Sequence, residues 1–218
     1  MSQLVYIIGY PGSGKTTATK LALGDDIVEI RDKPFKHTLY QGGAVELGYR
    51  RLLHGGTDAL SFNVQPKVIT WLATASAHCI VGEGDRLSNN SFFNAVQQQG
   101  LRLQIIHIKV GELIALKRMI ERGSLFDPAW IKGRMSKVDN LAAQWRDQIT
   151  TIDGKLKAEA IAEILAEKIF FTKKEACAHH WVYEAVTGPT SIGICKKCNA
   201  KMVGANHIPD PKVRDFTV

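Results

Sequence analysis

Residues 9–16 read Gly-Tyr-Pro-Gly-Ser-Gly-Lys-Thr, the spacing G-x-x-x-x-G-K-T. A β-branched, apolar run at residues 4–8 precedes it, and residues 15–23 can continue as a helix. Strand, glycine loop and helix in that order form a P-loop, which fixes both a local fold and a ligand. Gly12 and Gly14 lack Cβ atoms, so the backbone can turn tightly and aim its N–H groups inward. The helix beginning at Lys15 adds its positive N-terminal end. Gly12, Ser13, Gly14, Lys15, Thr16 and Thr17 are therefore the predicted nucleotide-binding residues. Lys15 would reach the β- and γ-phosphates of a nucleoside triphosphate, and the Thr16 hydroxyl would hold Mg²⁺.

A chain of 218 residues has room for one α/β domain and a small appendage. Its 45% hydrophobic and 22% charged residues are those of a globular chain, and no stretch is apolar enough to span a bilayer. The short first apolar run leads directly into the glycine loop, unlike a secretory leader, so a cytoplasmic location is expected. The net charge of +7 favours anionic partners. It is unevenly spread: from residue 168 onward 8 Lys/Arg face 4 Asp/Glu. A basic tail suits nucleic acid; a solvated surface is the plainer explanation.

Strand-like and helix-like segments alternate. Strands are expected at residues 4–9, 27–31, 78–82, 103–110 and 150–152. Helices are expected at 15–23, 64–75, 90–98, 111–122, from 128 toward 148 with a break near Gly133, and 155–170. Such alternation implies crossover connections and a parallel sheet covered on both faces. The P-loop then puts the active site at the C-terminal ends of the strands. Residues 34–62 fit the alternation poorly, with Gly42-Gly43, Gly48 and Gly55-Gly56 among charged residues. They are expected to form an irregular, substrate-facing loop rather than a linker.

Phosphoryl transfer needs a phosphate cradle, a metal, cationic charge and often a base. Asp32, just after the second expected strand, is the candidate base, although a turn aspartate before Pro34 has the same signature. Glu83 and Asp85 follow the third expected strand and compete to orient the Mg²⁺ water shell or the acceptor. Asp85 joins Lys15, Asp32 and Arg122 in the predicted catalytic set. Arg118, Arg122, Arg134 and Lys137 flank the Gly123-Ser124 break, so residues 111–140 could close as a lid bringing arginines over the phosphates. A solvated helix face would look the same. Trp71, Trp130 and Trp145 are expected to pack in the core or lid.

Of four cysteines, Cys79 lies in an apolar strand and reads as a reduced core residue. Cys177, Cys195 and Cys198 cluster with histidines. The pattern Cys177-Ala-His179-His180, then Cys195-x-x-Cys198, matches a four-ligand structural zinc site. His179 and His180 compete for the fourth position, with His179 preferred. So short a module could not bury enough core alone, and metal would supply its folding energy. The domain plan is thus 1–171 for the nucleotide-binding domain and 172–218 for the zinc-binding module and basic tail.

With these motifs in place, the chain resembles a phage P-loop kinase family that acts on 5-hydroxymethyluracil in DNA during thymine hypermodification. The resemblance lies in the P-loop, in Glu46-Leu-Gly-Tyr-Arg-Arg51 and in Gly56-Thr-Asp-Ala-Leu60. It continues in Val64-Gln-Pro-Lys67, Gly82-Glu-Gly-Asp-Arg86, residues 118–123 and Gly133-Arg134. The tail resembles a zinc-ribbon-like phage module through Cys177-x-His179-x-Trp181, Gly188-Pro-Thr-Ser191 and Cys195-x-x-Cys198, with Asn199 where that pattern often has glycine. The resemblance implies a P-loop kinase-like three-layer α/β sandwich with a parallel sheet, plus the small zinc module. It implies ATP and Mg²⁺, and as acceptor a primary alcohol on a hydroxymethylated pyrimidine in DNA. Glu46, Arg50, Thr57 and Asp58 would recognise that base, which must leave the helix stack to enter a cleft. Competing readings are a kinase of free nucleosides or nucleotides, a DNA-stimulated P-loop ATPase, and a zinc-anchored interaction protein.

Overall fold

The computed structural model describes residues 2–49, 55–124, 127–170, 180–183, 188–196 and 201–205. The chain divides into two compact units, residues 1–172 and 173–218. No helix among the described residues is long and apolar enough to cross a membrane.

The first unit is built on a seven-stranded sheet in the order β2-β3-β4-β5-β1-β6-β7. The strands are β1 (Gln3–Ile8), β2 (Ile27–Arg31), β3 (His37–Tyr40), β4 (Ala44–Leu47), β5 (Cys79–Glu83), β6 (Arg102–Lys109) and β7 (Ile149–Asp153). Strands β4, β5, β1, β6 and β7 run parallel, while β2, β3 and β4 form an antiparallel meander. The helices are α1 (Lys15–Leu23), α2 (Gln65–Leu72), α3 (Asn90–Gln98), α4 (Glu112–Glu121), α5 (Pro128–Gln144) and α6 (Ala158–Phe170).

Strand β1 is buried along its whole length, and its side chains alternate between two cores. Leu4, Tyr6 and Ile8 pack with Val68 of α2, Phe92 and Phe93 of α3, and Leu141 of α5. Val5 and Ile7 pack with Ala18 and Ala22 of α1 and with Ile161, Leu165 and Ile169 of α6. Two helical layers therefore enclose one sheet. Trp71 packs edge-on against Phe35, and Trp145 against Phe93 while donating to Asn90 Oδ1 at 2.7 Å. Cys79 is buried, and burial pushes its thiol up to about 12, so it stays protonated.

Residues 34–62 depart from the expected irregular loop. Gly42 and Gly43 have φ of 92° and 81°, and the Gly43 N–H donates to the Tyr40 carbonyl at 3.1 Å. They close a tight hairpin between β3 and β4, and β4 joins the parallel core beside β5. Residues 50–54 lie outside the described ones. The chain past them is pinned by backbone packing: a methyl on Gly48 (φ 100°) would land on the Gly56 carbonyl, and one on Gly56 would sit 2.6 Å from the Glu83 carbonyl. The second expected strand lies at the far edge of the sheet as β2, exposed at every position. Helix α5 runs through Gly133 without the expected break.

The second unit contains the three-stranded antiparallel sheet β10-β9-β8, with β8 (Trp181–Tyr183), β9 (Thr190–Cys195) and β10 (Lys201–Ala205). Cys195 is buried at the end of β9, opposite Trp181 in register. Cys177, His179 and Cys198 lie outside the described residues.

Candidate active site

The loop from Gly9 to Gly14 carries the chain from β1 into α1. A methyl on Gly12 would strike the Ala115 carbonyl, so the loop lies flat against α4. Lys15 is half-buried and donates to the Gly9 and Tyr10 carbonyls at 2.8 and 2.9 Å. Burial lowers its pKa, while the Glu83 and Asp58 carboxylates pull the other way. Ser13 is buried, and its Oγ has no hydrogen-bond partner among the described residues.

Thr16 Oγ1 donates to Glu83 Oε1 at 3.0 Å. Glu83 ends β5, in register with Ile7 on β1, so adjacent strands deliver the hydroxyl and the carboxylate to one place. Burial pushes the Glu83 carboxyl up to about 7, against the opposing pull of Lys15 and the Thr16 bond. Glu46 and Asp58 raise it further.

These groups open into a cleft of about 470 Å³. Its β5 side carries Asp58, Phe62, Glu83, Asp85 and Arg86; its other side carries Arg118 and Arg122 from the α4 segment and Trp130 and Arg134 from α5. Asp58 Oδ1 accepts the backbone N–H of Asp85 at 2.7 Å and of Arg86 at 3.1 Å. Asp85 is ion-paired with Arg134 and, at 2.9 Å, with Lys137. Lys137 also donates to the Asp85 carbonyl at 3.0 Å, and burial with Arg134 nearby brings its pKa down to about 8. Tyr10 donates to Asp139 at 2.7 Å, so α5 is fastened to the P-loop as well as to the end of β5. Asp127 caps α5 by accepting from Ala129 N at 2.7 Å and Trp130 N at 3.1 Å.

The sequence-predicted residues separate into two groups. Gly12, Gly14, Lys15, Thr16, Thr17, Asp58, Asp85, Arg118, Arg122 and Arg134 line the cleft. Asp32 does not. It follows β2, four places from β1 in the sheet, which is roughly 19 Å at ordinary strand spacing. Its side chain is 72% exposed and sits 3.5 Å from Lys36. The expected base position failed because the strand after α1 is an edge strand, not a neighbour of β1. Glu46 is buried and accepts from the Tyr40 hydroxyl at 2.6 Å, within the hairpin layer. Thr57 is buried under the cleft floor, bonded to the Glu83 carbonyl at 2.8 Å and to Tyr6 Oη at 3.1 Å. Arg50 lies outside the described residues. Phe62 and Arg86 were not singled out as site residues from the sequence. Phe62 stood at the end of the expected substrate loop, and an apolar residue with no periodic partners was its only signal.

A lysine and an open helix N-terminus facing one cleft are what a polyphosphate requires. Residues 1–158 match the family described as P-loop Nucleotide Kinase3. The chain belongs to this family. Membership of a P-loop kinase family implies ATP and Mg²⁺, and Lys15, Thr16 and Glu83 all line this cleft. Among solved structures, a deoxyadenosine kinase from M. mycoides is similar at 13% identity and TM-score 0.42, covering 76% of this chain and 98% of that one. A sugar kinase from Janibacter sp. HTCC2649 is similar at 16% identity and TM-score 0.43, covering 76% and 92%. No curated protein gives a significant match. Among the described residues no three His, Cys, Asp or Glu side chains are grouped to hold a metal ion. Three of the four expected zinc ligands lie outside those residues.

Proposed function

We propose that the protein is an ATP- and Mg²⁺-dependent kinase that phosphorylates the hydroxymethyl group of 5-hydroxymethyluracil in DNA. The observation that carries the kinase chemistry is the Thr16–Glu83 hydrogen bond at the mouth of a cleft walled by arginines. The acceptor rests on the sequence resemblance in residues 46–60 and 82–86.

In this reading the acceptor hydroxyl oxygen forms a bond to the γ-phosphorus of ATP as the bond to the β-phosphate oxygen breaks, releasing ADP. Thr16 and Glu83 would hold Mg²⁺, which supplies charge neutralisation on the phosphates. Lys15, Arg118 and Arg122 would stabilise the charge shifting toward the leaving group. Asp58, whose Oδ1 is held by the Asp85 and Arg86 N–H groups, would receive the hydroxyl proton on its other carboxylate oxygen. Glu83 is engaged with Thr16, Asp85 is held by Arg134 and Lys137, and Asp32 stands across the sheet. In the second unit Cys177, His179, Cys195 and Cys198 would bind structural Zn²⁺, and its basic residues would hold the DNA backbone.

The test is transfer of label from γ-³²P-ATP to DNA containing 5-hydroxymethyluracil, to thymine DNA, and to the free modified nucleoside and nucleotide. Label confined to the modified DNA, and reduced about 100-fold or more by Asp58→Asn, is the expected result. Label only in the free compounds would make the protein a nucleoside or nucleotide kinase. ATP hydrolysis stimulated by DNA without transfer would make it an ATPase.

A further inference from the structure

Phe62 is 88% exposed although it lines the cleft. A large apolar side chain held open to water inside a site is spare binding surface rather than core. The Arg86 guanidinium lies over its ring, with the central carbon 3.7 Å from the centroid. Arg86 Nε is buried and has no hydrogen-bond partner among the described residues. A buried guanidinium N–H without an acceptor is costly, and a ligand oxygen would relieve that cost. The Arg86 backbone is fixed by Asp58 Oδ1, so ring, guanidinium and that carboxylate belong to one assembly. Trp130, 39% exposed at the start of α5, lines the other wall with Arg134 over its ring at 5.1 Å.

The chain order sets the side on which this assembly stands. Phe62 follows β4 and Arg86 follows β5, both on one flank of the P-loop strand β1. Arg118 and Arg122 belong to the segment after β6, on the opposite flank. A polyanionic donor is drawn to Lys15 and the arginine flank, with Mg²⁺ at Thr16 and Glu83, and away from the Asp58 carboxylate. The carboxylate flank is left for the acceptor.

Resting on the kinase reading above and deepening it, we infer that Phe62 and Arg86 form the shelf on which the acceptor pyrimidine stacks, with Arg86 Nε donating to a ring carbonyl oxygen. An unstacked base entering the cleft would lie on this surface, and its 5-substituent would turn toward Asp58. Stacking serves a base outside the duplex, since only then is a π-face available.

The experiment measures equilibrium binding of two short single-stranded oligonucleotides by fluorescence anisotropy, with a non-hydrolysable ATP analogue and Mg²⁺ present. One carries a single 5-hydroxymethyluracil; the other has an abasic site at that position, so the difference reports the base and not the phosphates. Wild type should prefer the base by about 10- to 100-fold. Phe62→Ala and Arg86→Gln should each remove most of that preference, Phe62→Trp should keep it, and affinity for the ATP analogue should stay within about twofold. A preference unchanged in Phe62→Ala, or absent in wild type, overturns the inference. So does a loss of ATP-analogue affinity in Phe62→Ala, which would place the ring under the donor base. Binding that follows this pattern without label transfer from ATP would instead defeat the kinase reading and leave the shelf standing.

Discussion

Replacing Glu83 by Gln isolates the electrostatic strain at the centre of the cleft. The carboxyl is pushed from its ordinary 4.5 up to about 7, chiefly by burial. Between those two values the folded chain holds a proton that the unfolded chain has lost. Stability therefore falls as pH rises through this window, and is fully restored only below about 4.5. At about 1.4 kcal/mol per pH unit, the whole interval is worth about 3 kcal/mol, most of it between pH 5 and 7. Gln keeps an oxygen for Thr16 Oγ1 to bond but does not titrate. Its loss of charge next to Lys15 lowers the lysine further, which changes the difference in the same direction. The assay is urea unfolding of both proteins at several values from pH 5 to 8.5. Tryptophan fluorescence serves as the signal, because three of the four tryptophans, Trp71, Trp130 and Trp145, lie in the first unit. Relative to wild type, the Gln variant should gain about 2–3 kcal/mol across that range and lose phosphoryl transfer by at least about 100-fold. Curves whose separation does not change with pH would refute the account of a buried, proton-holding carboxylate.

Gly48→Ala should destabilise the first unit by about 3 kcal/mol or more, since its methyl meets the Gly56 backbone at a left-handed φ; chemical denaturation measures it. Asp85→Asn should leave nucleotide binding nearly intact yet lower transfer about tenfold, with faster amide exchange in α5, because two cations lose the charge that fastens that helix. Asp32→Ala should keep transfer within about twofold of wild type in the labelling assay, as expected of an exposed residue at the sheet edge. Zinc analysis should find about one ion per chain, lost in Cys198→Ser, with the main fluorescence-detected unfolding transition unchanged.

What was legible in the sequence was whatever depends on local chemistry. The P-loop announced β1, α1 and the place of Lys15 and Thr16, because backbone cradle and phosphate charge demand those residues in that order. Helix α3 falls at the expected residues 90–98, and the structure adds its cap, Asn89, whose side chain accepts from Phe92 N at 2.9 Å. The β3–β4 hairpin is not legible in the sequence because its strands have four residues each, too short for a period to emerge, and Gly42-Gly43 suits a loop as well as a turn. That one omission displaced Asp32. Sheet order is a long-range property, and nothing in residues 27–31 indicates that two more strands intervene before β5. The choice between Glu83 and Asp85 was open for a related reason. Both follow the same strand, and only the register of β1 with β5 brings Glu83 to Thr16, while α5 claims Asp85.

The contact between Gly48 and Gly56 has a consequence for how this cleft can evolve. The chain leaves β4 and returns beneath Glu83 through a neck formed by two glycine backbones. Whatever lies between is a cassette with its ends already joined. Closure entropy grows only slowly with length, so lengthening the chain between residues 49 and 55 should add little closure cost while the glycine neck holds the register of β4 and the seat of Glu83. Acceptor choice could then diversify by exchange of one short cassette, while the metal and phosphate chemistry on the other side of the neck is inherited whole.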